Sequence, residues 1–387
     1  MIRGTGGTLA LAGWLLLLGG AGPLGAPDPA PESPPIRIGV TCALTGPLAT
    51  EVAELQQGID LAVAQLNRRG GVLGRRLEIV YADTRSDIAN VSGTIRALVE
   101  ERKVSLIIGD LFSAFALAGA EECQRRRVLM ITPVATNPAV TRVGSFIFRT
   151  CFQDNFQGKA LAAFARKGLE ADRAAILTEA GSEYSTGLAD AFAKEFERLG
   201  GAVAAREAYR PEAEGLTGPL ETIRTSGATV CLLPGRGKPV GQIARGLEGT
   251  GITLLGGDSW NSGSDRMYAE GGTALDGAYY SSHYALAYDS PGNKAFRAGF
   301  RARYGKPDPA RVSVAALAYD TVHLLAAAIR QADSTEARAV RNTLGRLKNF
   351  QGATGRMWLD SRGDMIKSVF LYQIRGTQPQ FVQEIEP

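Results

Sequence analysis

The sequence predicts an α/β protein with two successive doubly wound, parallel-sheet domains, and three observations carry that expectation. Short apolar runs rich in β-branched residues alternate with amphipathic segments at helical spacing. The alternation occurs twice over, from Ile36 to about Thr141 and again from Ala174 to Tyr280. Two neighbouring units, Val104–Thr141, also place hydroxyl-bearing loops directly after buried strands, at the sheet edge where open α/β folds take ligands.

In chain order, residues 1–26 read as a secretory leader, with Arg3 followed by the apolar core Leu9–Leu18 and then small residues. Residues 27–35 (PDPAPESPP) are expected to be an extended proline-rich spacer. Strands are predicted at Ile36–Val40, Leu77–Tyr81, Val104–Ile108 and Val128–Ile131, with helices over 51–69, 88–102 and from Ser113 onward. Ser113 stands where a helix N-cap belongs, and Thr136 lies in the loop PVATNP after the next strand. Each loop offers a hydroxyl and free backbone N–H groups beside a helix start, which favours an anion.

The second series predicts strands at Ala174–Leu177, Ala202–Tyr209, Thr229–Leu233, Thr253–Leu255 and Ala278–Tyr280, with helices between them. Helices then follow at 293–304, 313–331 and 335–347, before a final strand at Val369–Ile374. These later helices have no parallel strands between them, so they complete a sheet begun earlier.

Composition bounds the chemistry. With 45% apolar and 21% charged residues, the 387-residue chain suits two soluble domains. Its formal charge of +4 is spread out, and Arg125–Arg127 closes a predicted helix rather than forming a nucleic-acid patch. Cys42, Cys123, Cys151 and Cys231 lie far apart, and two histidines complete a set with no metal-ligand spacing. No metal or other cofactor is expected. GRGKP at 235–239 lacks the leading glycine of a phosphate loop, and no nucleophile–base set accompanies the GDS at 257–259, so no enzyme activity is expected either.

The phrases GDLFSAFALA and ITPVATNPAVT, together with IRIGVTCALTGPLA, FIFRTCFQDNFQGKALA, YSTGLADAF, LLGGDSW and FQGATGRMWLDSRGDM, resemble the periplasmic leucine/isoleucine/valine-binding family of ABC-transporter solute receptors. The resemblance implies a type I periplasmic-binding architecture, in which two lobes are joined by a multi-strand hinge. Combined with the element count, it places lobe 1 at 36–149 and 284–353 and lobe 2 at 150–283 and 354–387. The expected crossings are Phe148–Cys151, Tyr280–Tyr284 and Thr354–Trp358. It further implies a monomeric periplasmic protein that captures a branched-chain or similar amino acid by lobe closure and hands it to ABC permease subunits. A ligand-binding sensor, or a receptor for aromatic or other organic acids, is the alternative.

Carried over residue by residue, the resemblance gives the ligand's carboxylate to Ser113 and Thr136, with the backbone at Val134 nearby. It adds Tyr184 from the second lobe and makes Asp258 the partner of the ligand's ammonium. Phe112 and Trp260 are candidate cleft-wall contacts. Glu51 and Arg236 depart from the family's aromatic residues at their positions, and are expected to read a more polar ligand, to pair with each other, or simply to face solvent.

Overall fold

The computed structural model describes residues 33–211, 215–262 and 264–387, so the expected leader and residues 27–32 of the spacer lie outside the described residues. The first lobe is wound as β1 (Ile36–Cys42), α1 (Ala49–Arg68), β2 (Leu77–Asp83), α2 (Val91–Glu100), β3 (Leu106–Ile108), α3 (Ser113–Arg126), β4 (Leu129–Thr132), α4 (Ala139–Arg142) and β5 (Ile147–Arg149). Its five strands are all parallel, in the order β2-β1-β3-β4-β5. Because strand side chains alternate between faces, Ile38, Leu106 and Ile131 enter one core while Val80, Ile107 and Met130 enter another. The sheet is therefore covered on both sides, as its continuous apolar runs require.

The second lobe continues with α5 (Asp154–Lys167), β6 (Arg173–Glu179), α6 (Glu183–Arg198), β7 (Ala202–Tyr209), α7 (Thr217–Thr225), β8 (Val230–Leu233), α8 (Lys238–Leu247), β9 (Thr253–Gly256), α9 (Ser264–Gly271) and β10 (Tyr279–Ser282). The chain then returns through α10 (Pro291–Tyr304), α11 (Ser313–Ala332) and α12 (Ala337–Leu344) to the first core. Gly58 lets α1 lie against α11 at backbone distance, since a Cβ there would meet the Ala315 carbonyl oxygen at 2.1 Å.

Three short strands follow, β11 (Phe350–Gly352), β12 (Gly355–Leu359) and β13 (Met365–Ile366), and then β14 (Val369–Arg375) and β15 (Gln378–Ile385). The last two add antiparallel strands to the second sheet, in the order β15-β14-β10-β9-β8-β6-β7. The sequence reading did not include β15, whose side chains are mostly exposed and show no apolar run.

The chain passes between lobes after β5 and after β10. The third passage differs from the expected Thr354–Trp358: Met357, Leu359 and Met365 still pack in the first core, and the chain enters the second sheet with Val369. Pairing of β11, β12 and β13 holds that stretch to the first lobe. Beside the crossings, buried Lys367 donates to the His283 carbonyl and to Thr354, whose hydroxyl also donates to Asp320. Burial lowers the Lys367 ammonium to about 7, against the favourable charge of Asp320.

All four cysteines are buried and unpaired. No helix among the described residues is long and apolar enough to cross a membrane.

Candidate functional site

The carboxyl ends of the two sheets face a common cavity of about 160 Å³. That is below the roughly 300–1,000 Å³ of pockets for drug-sized molecules, so it suits a ligand of single-amino-acid size.

On the first lobe the wall is the start of α3 and the loop after β4. Phe112, not Ser113, is the N-cap residue, with extended backbone, and Ser113 is the first helical residue. Its hydroxyl is therefore not spent on capping; Asn137 N donates to it over a long 3.4 Å. Ser113, Ala114 and Phe115 line the cavity, and their N–H groups belong to the first turn, which has no intrahelical acceptors. The loop bearing Val134 and Thr136 is pinned from behind. Fully buried Arg149 donates to the carbonyls of Ala135 and Asn137, each at 2.8 Å, and pairs with Asp364 at 2.7 Å. Thr136 is buried, and its hydroxyl makes no hydrogen bond to any described residue.

Beside it, Asp154 opens α5 with neither carboxylate oxygen hydrogen-bonded. Burial, then the nearby charge of Asp258, pushes its carboxyl up to about 8. The Thr136 side chain is near enough to favour the charged form of Asp154, though short of bonding geometry.

On the second lobe the wall is Gly181–Tyr184 at the start of α6, together with Arg236, Asp258, Ser259 and Ser262. Asp258 is held by three donors. Gln157 Nε2 lies 2.8 Å and the Tyr184 hydroxyl 3.0 Å from Oδ1, and His283 Nε2 lies 3.1 Å from Oδ2. Gly257 makes room for this set, since a Cβ there would stand 2.1 Å from the Tyr184 oxygen. His283 is buried against Phe152, and burial lowers its pKa despite the carboxylate beside it. A neutral imidazole in the Nε2–H tautomer orients Asp258 without cancelling its charge.

The two walls also touch directly. Asn137 Nδ2 donates to the Glu183 carbonyl at 2.7 Å, and Asn261 Nδ2 to that of Ala310 at 3.1 Å. Beside the cavity, buried Glu51 of α1 accepts from Arg266 at 2.5 Å and from the Ser262 hydroxyl at 3.1 Å, and lies 3.6 Å from Arg236 Nε. Arg236 in turn sits 4.6 Å over the ring of Phe112.

Phe112, Ser113, Val134, Thr136, Tyr184, Arg236 and Asp258 thus line one cavity. Trp260 does not. The 3₁₀ turn Asp258–Asn261 sends its ring back under Gly256, where Nε1 donates to the Leu233 carbonyl and the indole stacks on Tyr280. Sequence reasoning missed Gln157, Asp154, Ser262 and Arg266, and gave His283 no part in the site.

The profile of the periplasmic binding protein family matches residues 35–379. A Leu/Ile/Val-binding protein homologue of Brucella melitensis is 27% identical over 339 residues, covering 87% of this chain and 90% of that one. Among solved structures, the leucine-binding protein LivK of Thermotoga maritima is 31% identical with a TM-score of 0.84, over 91% of this chain and 99% of its own. The branched-chain amino acid transporter substrate-binding protein LivJ of Streptococcus pneumoniae, solved with isoleucine, is 27% identical with a TM-score of 0.82, over 91% of this chain and all of its own. With a profile match over nearly the whole described chain and two lobes closing on one cavity, the chain belongs to the periplasmic binding protein family.

Proposed function

We propose that this protein captures a free α-amino acid between its lobes and delivers it to the membrane subunits of an ABC importer, without chemical change to the ligand. The observation that carries the reading is the opposition of two unlike walls. The buried, unpartnered Thr136 hydroxyl, Ser113 and the first turn of α3 suit a carboxylate. Facing them, Asp258 is oriented by three donors and suits an ammonium. The relatives named for leucine, isoleucine and valine favour an amino acid over other zwitterions.

Ligand that bridges both walls stabilises the closed form by its differential affinity. In this reading the chain acts as a monomer in the periplasm, reached by way of a cleavable leader over residues 1–26.

A thermal-shift screen of amino and organic acids tests the proposal. A ligand present at a hundredfold its dissociation constant adds about 2.7 kcal/mol of stability, enough to move the unfolding midpoint visibly. The reading fails if organic acids without an amine shift the midpoint and no amino acid does.

A further inference from the structure

Arg236 has more hydrogen-bonding capacity than the protein uses. It follows β8 in the turn Pro234–Gly237 that leads into α8, and its side chain is only 27% exposed. The guanidinium rests on the Phe112 ring, 4.6 Å from the centroid, and forms part of the cavity wall. Its nearest acid, Glu51, is already committed: Arg266 takes Oε1 and the Ser262 hydroxyl takes Oε2. The 3.6 Å separation between Arg236 Nε and Glu51 is an ion-pair contact, not a hydrogen bond. Arg236 makes no hydrogen bond to any described residue, although a guanidinium presents five N–H donors. Two arginines, Arg236 and Arg266, thus share the one carboxylate of Glu51.

The cavity therefore has three polar stations: the hydroxyls and helix start of the first lobe, the carboxylate of Asp258, and the guanidinium of Arg236. On the reading that the ligand is an α-amino acid, its carboxylate and ammonium fill the first two. The cavity that would hold those two groups is also lined by Arg236, so the ligand's side chain shares its wall. Glu179 and Glu183 also line the cavity; Glu183 is exposed and well screened, whereas Glu179 is half-buried like Arg236, so its charge weighs against a ligand acid more than against a neutral amide.

We infer that Arg236 is a specificity-determining residue that reads an oxygen acceptor at the distal end of the ligand side chain. The favoured ligand is then an acidic or amide amino acid rather than a purely aliphatic one. A planar fork stacked on an aromatic ring is pre-organised for such an oxygen pair.

Calorimetry of the full chain with L-glutamate, L-glutamine and L-leucine, in native protein and in Arg236→Leu, tests this. In the native protein glutamate, or glutamate and glutamine alike, should bind about tenfold or more tighter than leucine, as one hydrogen bond to a charged group implies. A glutamate-only preference means that charge is read; equal binding of both means that the oxygen is read. In Arg236→Leu that preference should vanish, and an unchanged ligand-free unfolding midpoint reports the intact fold.

Tighter binding of leucine by the native protein overturns the inference and leaves amino-acid capture standing. So does a glutamate or glutamine preference that survives in the variant. Failure of all three amino acids to bind overturns the inference, and the wider screen of amino and organic acids then decides amino-acid capture.

Discussion

Glu51 of α1 and Arg266 of α9 join the two lobes beside the cavity, with 2.5 Å between carboxylate oxygen and guanidinium nitrogen. The acid is buried and the arginine is 47% exposed, so the pair is partly screened and its worth lies nearer that of a surface pair than a buried one. Its place matters more than its strength, because it ties together the two walls that must part for a ligand to enter. Glu51→Gln keeps the acceptor for Ser262 and removes the charge. Ligand affinity should fall about two- to tenfold, corresponding to roughly 0.5–1.4 kcal/mol. The difference from the native protein should shrink in 0.5 M salt, and small-angle scattering should show a larger ligand-free radius of gyration in the variant. Equal radii and equal affinities would remove the latch from the account.

Ser113→Ala and Thr136→Val test the anion wall. Each removes a hydroxyl that no capping or packing role requires, and a hydrogen bond to a charged group contributes roughly 1.5–3 kcal/mol. Each variant should bind ligand about tenfold or more weakly, with its unfolding midpoint in the absence of ligand little changed. Affinities unchanged in both would place the carboxylate elsewhere.

Asp154 gives a pH test. Its carboxyl is raised to about 8 in the folded protein, by burial first and by the charge of Asp258 second. In the unfolded chain it titrates near 3.9. Between these values the folded state holds a proton that the unfolded state has lost, so this group's contribution to stability is complete below about pH 4 and drains away as pH rises to about 8. Asp154→Asn keeps the shape and removes the titration. Thermal unfolding from pH 4 to 8 should decline less steeply in the variant, with the gap widest at pH 8. Parallel curves would mean that Asp154 is not held neutral.

Much of this site was legible in the sequence, and the reasons differ by residue. Ser113 and Thr136 announce themselves through local pattern, because each follows a short buried strand and precedes a helix, and parallel-sheet topology brings such loops to one edge. Asp258 was legible only through resemblance, since two glycines and an acid otherwise read as a turn. The three groups that orient Asp258 come from far along the chain or from an unmarked strand end; Gln157 stands 101 residues away, and nothing local distinguishes it from a surface glutamine. The pairing of Glu51 with Arg266 spans 215 residues and could not be read from either. Trp260 misled because sequence places it beside the ligand wall, while the direction of a 3₁₀ turn decides where its ring goes. Ser113 misled more gently: helix α3 begins one residue earlier than a capping serine would set it, which frees the hydroxyl for the cavity.

If an amino acid is held at both ends, removing its amine takes away the group that Asp258 meets. A buried carboxylate that faces a ligand without a cation carries an unrepaid desolvation cost, so the amine should be worth a large factor in affinity. Calorimetry with L-leucine against 4-methylpentanoate, and with L-glutamate against glutarate, isolates that factor in native protein and in Asp258→Ala. In the native protein the amino acid should bind about tenfold or more tighter than its amine-free partner, as a charge-assisted bond implies, and Asp258→Ala should remove most of the gap. Tighter binding of the amine-free acids by the native protein would contradict a hold at both ends and make the cavity an organic-acid site.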